Sequence, residues 1–274
     1  MSTLAGEGSA ATALERLVRR DRTVTAVALV VVTIAAWASL LRSFAGMSMA
    51  GGGIAMAHRG GMAMPEMRGW SAQEPSLLFL MWATMMVAMM LPSAAPMILL
   101  MAGVERRRRE RARPAAPTAI FAAGYLLVWT GFSAAAALTQ WGLHQAALLS
   151  PAMASTSPVL GGLLLVTAGL YQWLPFKSSC LRHCRSPLGF LGEEWREGRG
   201  GALLMGVKHG LYCLGCCWAL MLLLFVAGVM NLVFVAAIAL LVLVEKVGRA
   251  GPRFGRMAGL ALAGWGVWMV VAGR

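Results

Sequence analysis

Three of the chain's five cysteines and one of its four histidines stand within a single apolar stretch, MGVKHGLYCLGCCWALM, from Met205 to Met221. At about 100° per residue in an α-helix, His209, Cys213 and Cys216 fall within a sector of about 60°, with Met205 beside them and Cys217 on its edge. One helical face therefore presents imidazole and thiol together. That donor set suits Cu(I), and imidazole with thiolate also suits Zn(II), so ligand type narrows the metal to these two. A buried cysteine can equally be a small hydrophobe in a core. Three of them with a histidine on one face, and with Lys208 adjacent inside an apolar span where ionisable groups are costly, point instead to metal or redox chemistry.

A second dense patch, MWATMMVAMMLPSAAPM, runs from Met81 to Met97. Met81, Met85 and Met89 recur every four residues and form a stripe down one helical face, while Met86, Met90 and Met97 occupy another. Thioether is a neutral, soft donor that favours Cu(I) over hard cations, although methionine is just as often an apolar gap-filler. Pro92 and Pro96 each remove a backbone donor. A helix broken in this way survives in a membrane where the freed carbonyls line a cavity or meet another helix.

Two shorter segments carry the same donor types. GMSMAGGGIAMAHRGGMAMPEM, from Gly46 to Met67, spaces Met47, Met49, Met56, His58, Met62, Met64 and Met67 among glycines and alanines, as expected of a loop that wraps a copper ion rather than packs. The bland alternative is a Gly-rich linker. CLRHC places Cys180, His183 and Cys184 within five residues and is expected on a reducing cytoplasmic loop, where a structural disulfide is disfavoured. It is a second, inner candidate site, though Lys177, Arg182 and Arg185 around it equally suit an interfacial loop.

The elements that must hold these residues follow from composition. The 274 residues are 59% hydrophobic and only 13% charged, which excludes an ordinary soluble domain and makes the lipid bilayer the solvent. An all-α, polytopic transmembrane bundle of seven spans is expected: Val24–Leu41, Ser76–Val104, Thr118–Leu149, Val159–Phe176, Ala202–Phe225, Val229–Val244 and Met257–Ala272. Gly228 and Asn231 are expected to turn the chain between the fifth and the sixth. The corresponding organisation is a cytoplasmic leader (1–23), a first transmembrane helix (24–45), the extracytoplasmic Met/His-rich loop (46–75) and a metal-binding helical bundle (76–274). The first apolar run follows a polar leader without a cleavage pattern, so it reads as a retained anchor.

Of the 24 Lys and Arg, nineteen fall in the leader and in every second connection, including the run from Arg106 to Arg113. Only Arg42, Arg59, Arg68 and Arg274 fall on the opposite side. By the positive-inside rule the N-terminus is cytoplasmic and the C-terminus extracytoplasmic. This alternation accounts for the net charge of +13 better than nucleic-acid binding does, and no nucleic-acid partner is expected. If the second span descends and the fifth ascends, Met89 or Met90 and Cys213 lie at one depth, which suggests a shared site. Neither a phosphate-binding Walker loop, nor HExxH, nor a dinucleotide fingerprint is present, so this chain is not expected to be an ATP-driven pump.

These strings resemble a bacterial family of predicted metal-binding integral membrane proteins, some of whose members look like copper chaperones for extracytoplasmic copper enzymes. The resemblance is carried by MMVAMMLPSAAPM (Met85 to Met97), YQWLPFKSSCLRHCRSP (Tyr171 to Pro187), HGLYCLGCCWALM (His209 to Met221), GVMN (Gly228 to Asn231) and EK (Glu245 and Lys246). It covers roughly residues 75 to 250, outside the Met-rich loop. It implies a plasma-membrane protein that is not an enzyme and that hands copper to an extracytoplasmic recipient. Two rivals remain: a thiol oxidoreductase cycling Cys213 and Cys216, and a structural assembly subunit whose Met and Cys merely pack.

Overall fold

The computed structural model describes residues 22–45, 74–112, 116–146, 157–229 and 231–272, and these are helical apart from short turns. The helices are α1 (Arg22–Ala45), α2 (Glu74–Glu110), α3 (Thr118–Gln145), α4 (Pro158–Tyr171), α5 (Pro175–Arg185), α6 (Pro187–Glu194), α7 (Gly198–Leu222), α8 (Leu224–Ala227), α9 (Leu232–Val247) and α10 (Gly251–Ala272). Five are long and apolar enough to cross a membrane: α1, α2, α3, α7 continued by α8, and α10. The described residues thus form an all-α bundle with several helices of membrane-crossing length.

Two of the seven expected spans take another form. The fourth bends by 64° between α4 and α5. Pro175 opens α5 and forces Leu174 into an extended conformation, ψ 138°, because the residue before proline is pushed out of the helical region. The sixth, α9, has only 16 residues, about 24 Å at 1.5 Å per residue, against about 30 Å of hydrocarbon. Its start is as expected: Gly228 takes φ +81°, and the Asn231 side chain accepts the Phe234 N–H at 3.1 Å, satisfying one of the orphan donors of the first turn.

Close helix approach rests on glycine. α3 packs along α7 where Gly124 and Gly206 face each other's backbone: a Cβ on Gly206 would strike the Phe121 carbonyl, and one on Gly124 the Leu203 carbonyl. α4 packs along α10 in the same manner through Gly162, Gly169, Gly259 and Gly266. In lipid, where apolar burial drives little association, small residues that admit close backbone contact do this work.

The carbonyl that Pro92 frees in α2 meets another helix. Pro92 cannot donate to the carbonyl of Ala88 four residues earlier, and the Trp37 indole N–H of α1 donates to that oxygen at 3.2 Å instead. The freed acceptor thus ties α1 to α2. Glu105 near the end of α2 accepts both the N–H and the hydroxyl of Thr118 at 2.7 Å, capping the start of α3.

Candidate metal site

His209, Cys213, Cys216 and Cys217 are all buried on α7, as their helical phase requires. Cys216 and Cys217 turn their thiols back onto the Cys213 carbonyl, donating at 3.0 and 2.9 Å. Cys213 points its sulfur outward to two other helices. The Lys246 ammonium of α9 donates to it at 2.7 Å, and the Tyr125 hydroxyl of α3 lies 3.1 Å away. The same hydroxyl donates to the Met90 carbonyl at 3.1 Å, and Lys246 also donates to Ser93 at 3.2 Å. Tyr125 and Lys246 therefore bridge the methionine helix and the cysteine helix, linking Met90 and Ser93 of α2 to Cys213 of α7. It is the Met90 carbonyl, not its thioether, that enters this network.

CLRHC proves to be helical, the second half of α5, rather than a loop. α5 packs on α7, which brings the Cys184 thiol close enough to Cys213 and Cys216 for the three to influence one another. Cys180 meets the same helix at Gly215, where an added Cβ would touch its sulfur at 2.8 Å. The inner and the core cysteines thus form one cluster, and all five thiols are free. His183 does not join it. Its ring stacks on Tyr212 with centroids 4.1 Å apart and planes 5° from parallel, and it lies 3.9 Å from Glu193.

His209 is enclosed by the rings of Phe121, Tyr125 and Phe190 at 5.9, 5.8 and 5.3 Å. Its Nδ1 is buried without a hydrogen-bond partner, which leaves one nitrogen lone pair or N–H unsatisfied in an apolar setting. Met85, Met86, Met89 and Met90 are buried in the core, and Met81 partly so. Met205 is buried but engaged elsewhere, its sulfur accepting the Arg196 N–H at 3.4 Å. The outer-loop residues Met47, Met49, Met56, His58, Met62, Met64 and Met67 lie outside the described residues.

Charges depart furthest from expectation. Lys208, expected deep in a span, is about one-third exposed and paired with Glu194 of α6 at 2.5 Å. Lys177 and Lys246, expected on cytoplasmic loops, are buried. Lys177 donates to both carboxylate oxygens of Glu245 at 2.8 Å and to Gln172. Glu245 and Lys246, neighbours in sequence, thus clamp different helices: the first holds α5 through Lys177, the second holds α2 and α7. Hydropathy carried no hint of this, since a Glu-Lys pair at the end of an apolar run looks like a helix end in water. Tyr125 and Ser93 were likewise not distinguished by sequence.

Among the described residues no three His, Cys, Asp or Glu donors are spaced as a ready coordination shell. What converges is a set of thiols in which pairs are in reach, beside one buried cation and one phenol. Thiolate pairs are sufficient for Cu(I), which accepts a two-coordinate linear geometry, whereas structural zinc is held by four ligands.

No curated protein and no solved structure matches the chain. A family model described as PpoB2, copper chaperone, matches residues 79–269, which runs from the first turns of α2 into the last turn of α10 and takes in every helix between. The match contains Tyr125, Cys184, Cys213 and Lys246 alike, and with it the chain belongs to the PpoB2 copper chaperone family.

Proposed function

We propose that this membrane protein binds copper as Cu(I) in the thiol cluster and delivers it to an extracytoplasmic copper enzyme. The observation that supports this reading is the convergence on Cys213: three other helices reach it, α3 through Tyr125, α5 through Cys184 and α9 through Lys246. Five free thiols beside an unpartnered imidazole nitrogen form a soft donor set, and the family is one of copper chaperones. Cys213 together with one of its neighbours, Cys216 or Cys184, supplies the primary ligand pair in this proposal. Cys217, His209 and the sulfurs of Met85 and Met89 serve as exchange partners.

The chain is a carrier rather than an enzyme. Its seven crossings count α9 as a short one and α4 with α5 as a bent one, with the N-terminus cytoplasmic in a bacterial plasma membrane. The outer Met/His-rich segment collects or releases the ion at the far surface.

The test is metal analysis of the purified full-length protein reconstituted with Cu(I). The wild type is expected to hold stoichiometric copper and to activate an apo copper oxidase. The Cys213→Ser, Cys216→Ser double variant is expected to lose both. Full copper occupancy and full activation in that variant would refute the proposal. A disulfide-exchange enzyme would need both cysteines yet bind no copper at all.

A further inference from the structure

We propose that Lys246 is the residue that makes the site specific for a monovalent metal held by two thiolates. This rests on the reading of the thiol cluster as a copper site.

The argument is one of buried charge. Lys246 is 6% exposed, and its ammonium donates to Cys213 at 2.7 Å and to Ser93 at 3.2 Å. The carboxylate beside it in sequence, Glu245, is bound through both oxygens to Lys177, so that pair is neutral by itself. Arg185 faces the backbone oxygens of Glu245 and Arg249, at 2.5 and 3.5 Å, and is only partly buried. The positive charge of Lys246 therefore sits directly against the metal-binding sulfur. A buried charge is retained at low cost only when its surroundings sum to the opposite sign.

That requirement selects the guest. The ligand form of cysteine is the thiolate, so two thiolates with Cu(I) sum to −1 and neutralise Lys246. Two thiolates with a divalent ion sum to zero, as do one thiolate and a neutral imidazole with Cu(I), and in both cases the ammonium is left uncompensated. Three thiolates around a divalent ion would also sum to −1, but no such three-donor shell exists among the described residues. Lys246 thus favours a dithiolate Cu(I) complex built on Cys213 and rejects zinc without touching it.

The experiment compares full-length protein in detergent as wild type, Lys246→Met, Lys246→Gln and Lys246→Arg. Affinity is read with Cu(I) against a chromophoric Cu(I) chelator and with Zn(II) against a fluorescent chelator. Losing one partner of a desolvated charge pair is expected to weaken Cu(I) binding by about thirtyfold in the two neutral variants. Zn(II) binding is unchanged or tighter in them, and Lys246→Arg keeps the wild-type preference. A merely structural lysine would weaken both metals together, and that result, or an unaltered Cu(I)-to-Zn(II) ratio, overturns the proposal. Should the neutral variants fail to fold, X-ray absorption of the copper-loaded wild type decides: two sulfur ligands are expected, and three, or a nitrogen in their place, overturn it. A wild type that binds no Cu(I) overturns the copper-site reading itself, whereas normal binding with an unaltered ratio overturns only the role of Lys246.

Discussion

The Lys246 ammonium lies 2.7 Å from the Cys213 sulfur, across 33 positions of sequence and between two helices. This contact joins an apolar helix to the thiol on which the other helices converge. It also sets α9 and α7 in register with α2, because the same ammonium reaches Ser93.

Cys184→Ser is expected to lower Cu(I) affinity by about tenfold or more, since a soft ion gains little from a hydroxyl. His183→Ala, one position away, is expected to leave it within about twofold, because that ring stacks on Tyr212 rather than facing the thiols. Chelator competition on the two purified variants checks this. Equal losses in both would mean that α5 acts through its fold and not through Cys184.

Met85→Leu and Met89→Leu are expected to slow copper transfer to the recipient while changing stability little. Leucine keeps the apolar volume and removes only the sulfur, a swap that costs less than about 1.5 kcal/mol in a core. Stopped-flow transfer to an apo-acceptor measures the effect, and wild-type rates in both variants would assign these residues to packing.

Glu245→Gln is expected to destabilise the purified protein by about 3–5 kcal/mol, because it strands the Lys177 ammonium in the core. The double replacement Lys177→Met, Glu245→Leu should recover most of that loss, as apolar pairs of similar volume often match a buried ion pair. Thermal unfolding in detergent reads both. A double variant as unstable as the single one would show that the pair also holds α5 and α9 by contacts its replacement cannot make.

Gly206→Ala is expected to cost about 1–3 kcal/mol through overpacking against Phe121. By spreading α3 from α7 it should also separate Tyr125 from Cys213 and weaken Cu(I) binding. Gly266→Ala, in the α4–α10 contact, should cost stability alone. Thermal unfolding and chelator competition on the pair of variants separate the two effects.

A reporter fused after Arg274 is expected to be extracytoplasmic and one placed after Arg113 cytoplasmic. Activity of both on the same side would mean that α9, or the bent α4–α5 pair, does not cross.

Much of the bundle was legible in the sequence because a bilayer imposes long apolar runs whatever the fold. Helical phase alone put His209, Cys213 and Cys216 on one face, and the prolines of α2 announced freed carbonyls that a cavity or another helix would have to take up, of which the structure decided for the helix at Ala88. Where the charged residues lie was decided by tertiary structure. Lys177 and Glu245 find each other across 68 positions, and a pattern read against water and lipid cannot distinguish a helix end in solvent from one folded into a polar core. Neighbouring helices were equally hidden, since lipid-facing and protein-facing residues are both apolar and carry no label of partner. Only the packing of α5 on α7 brought Cys184 to Cys213, turning two candidate sites into one, and only the placement of α9 set a lysine against its sulfur.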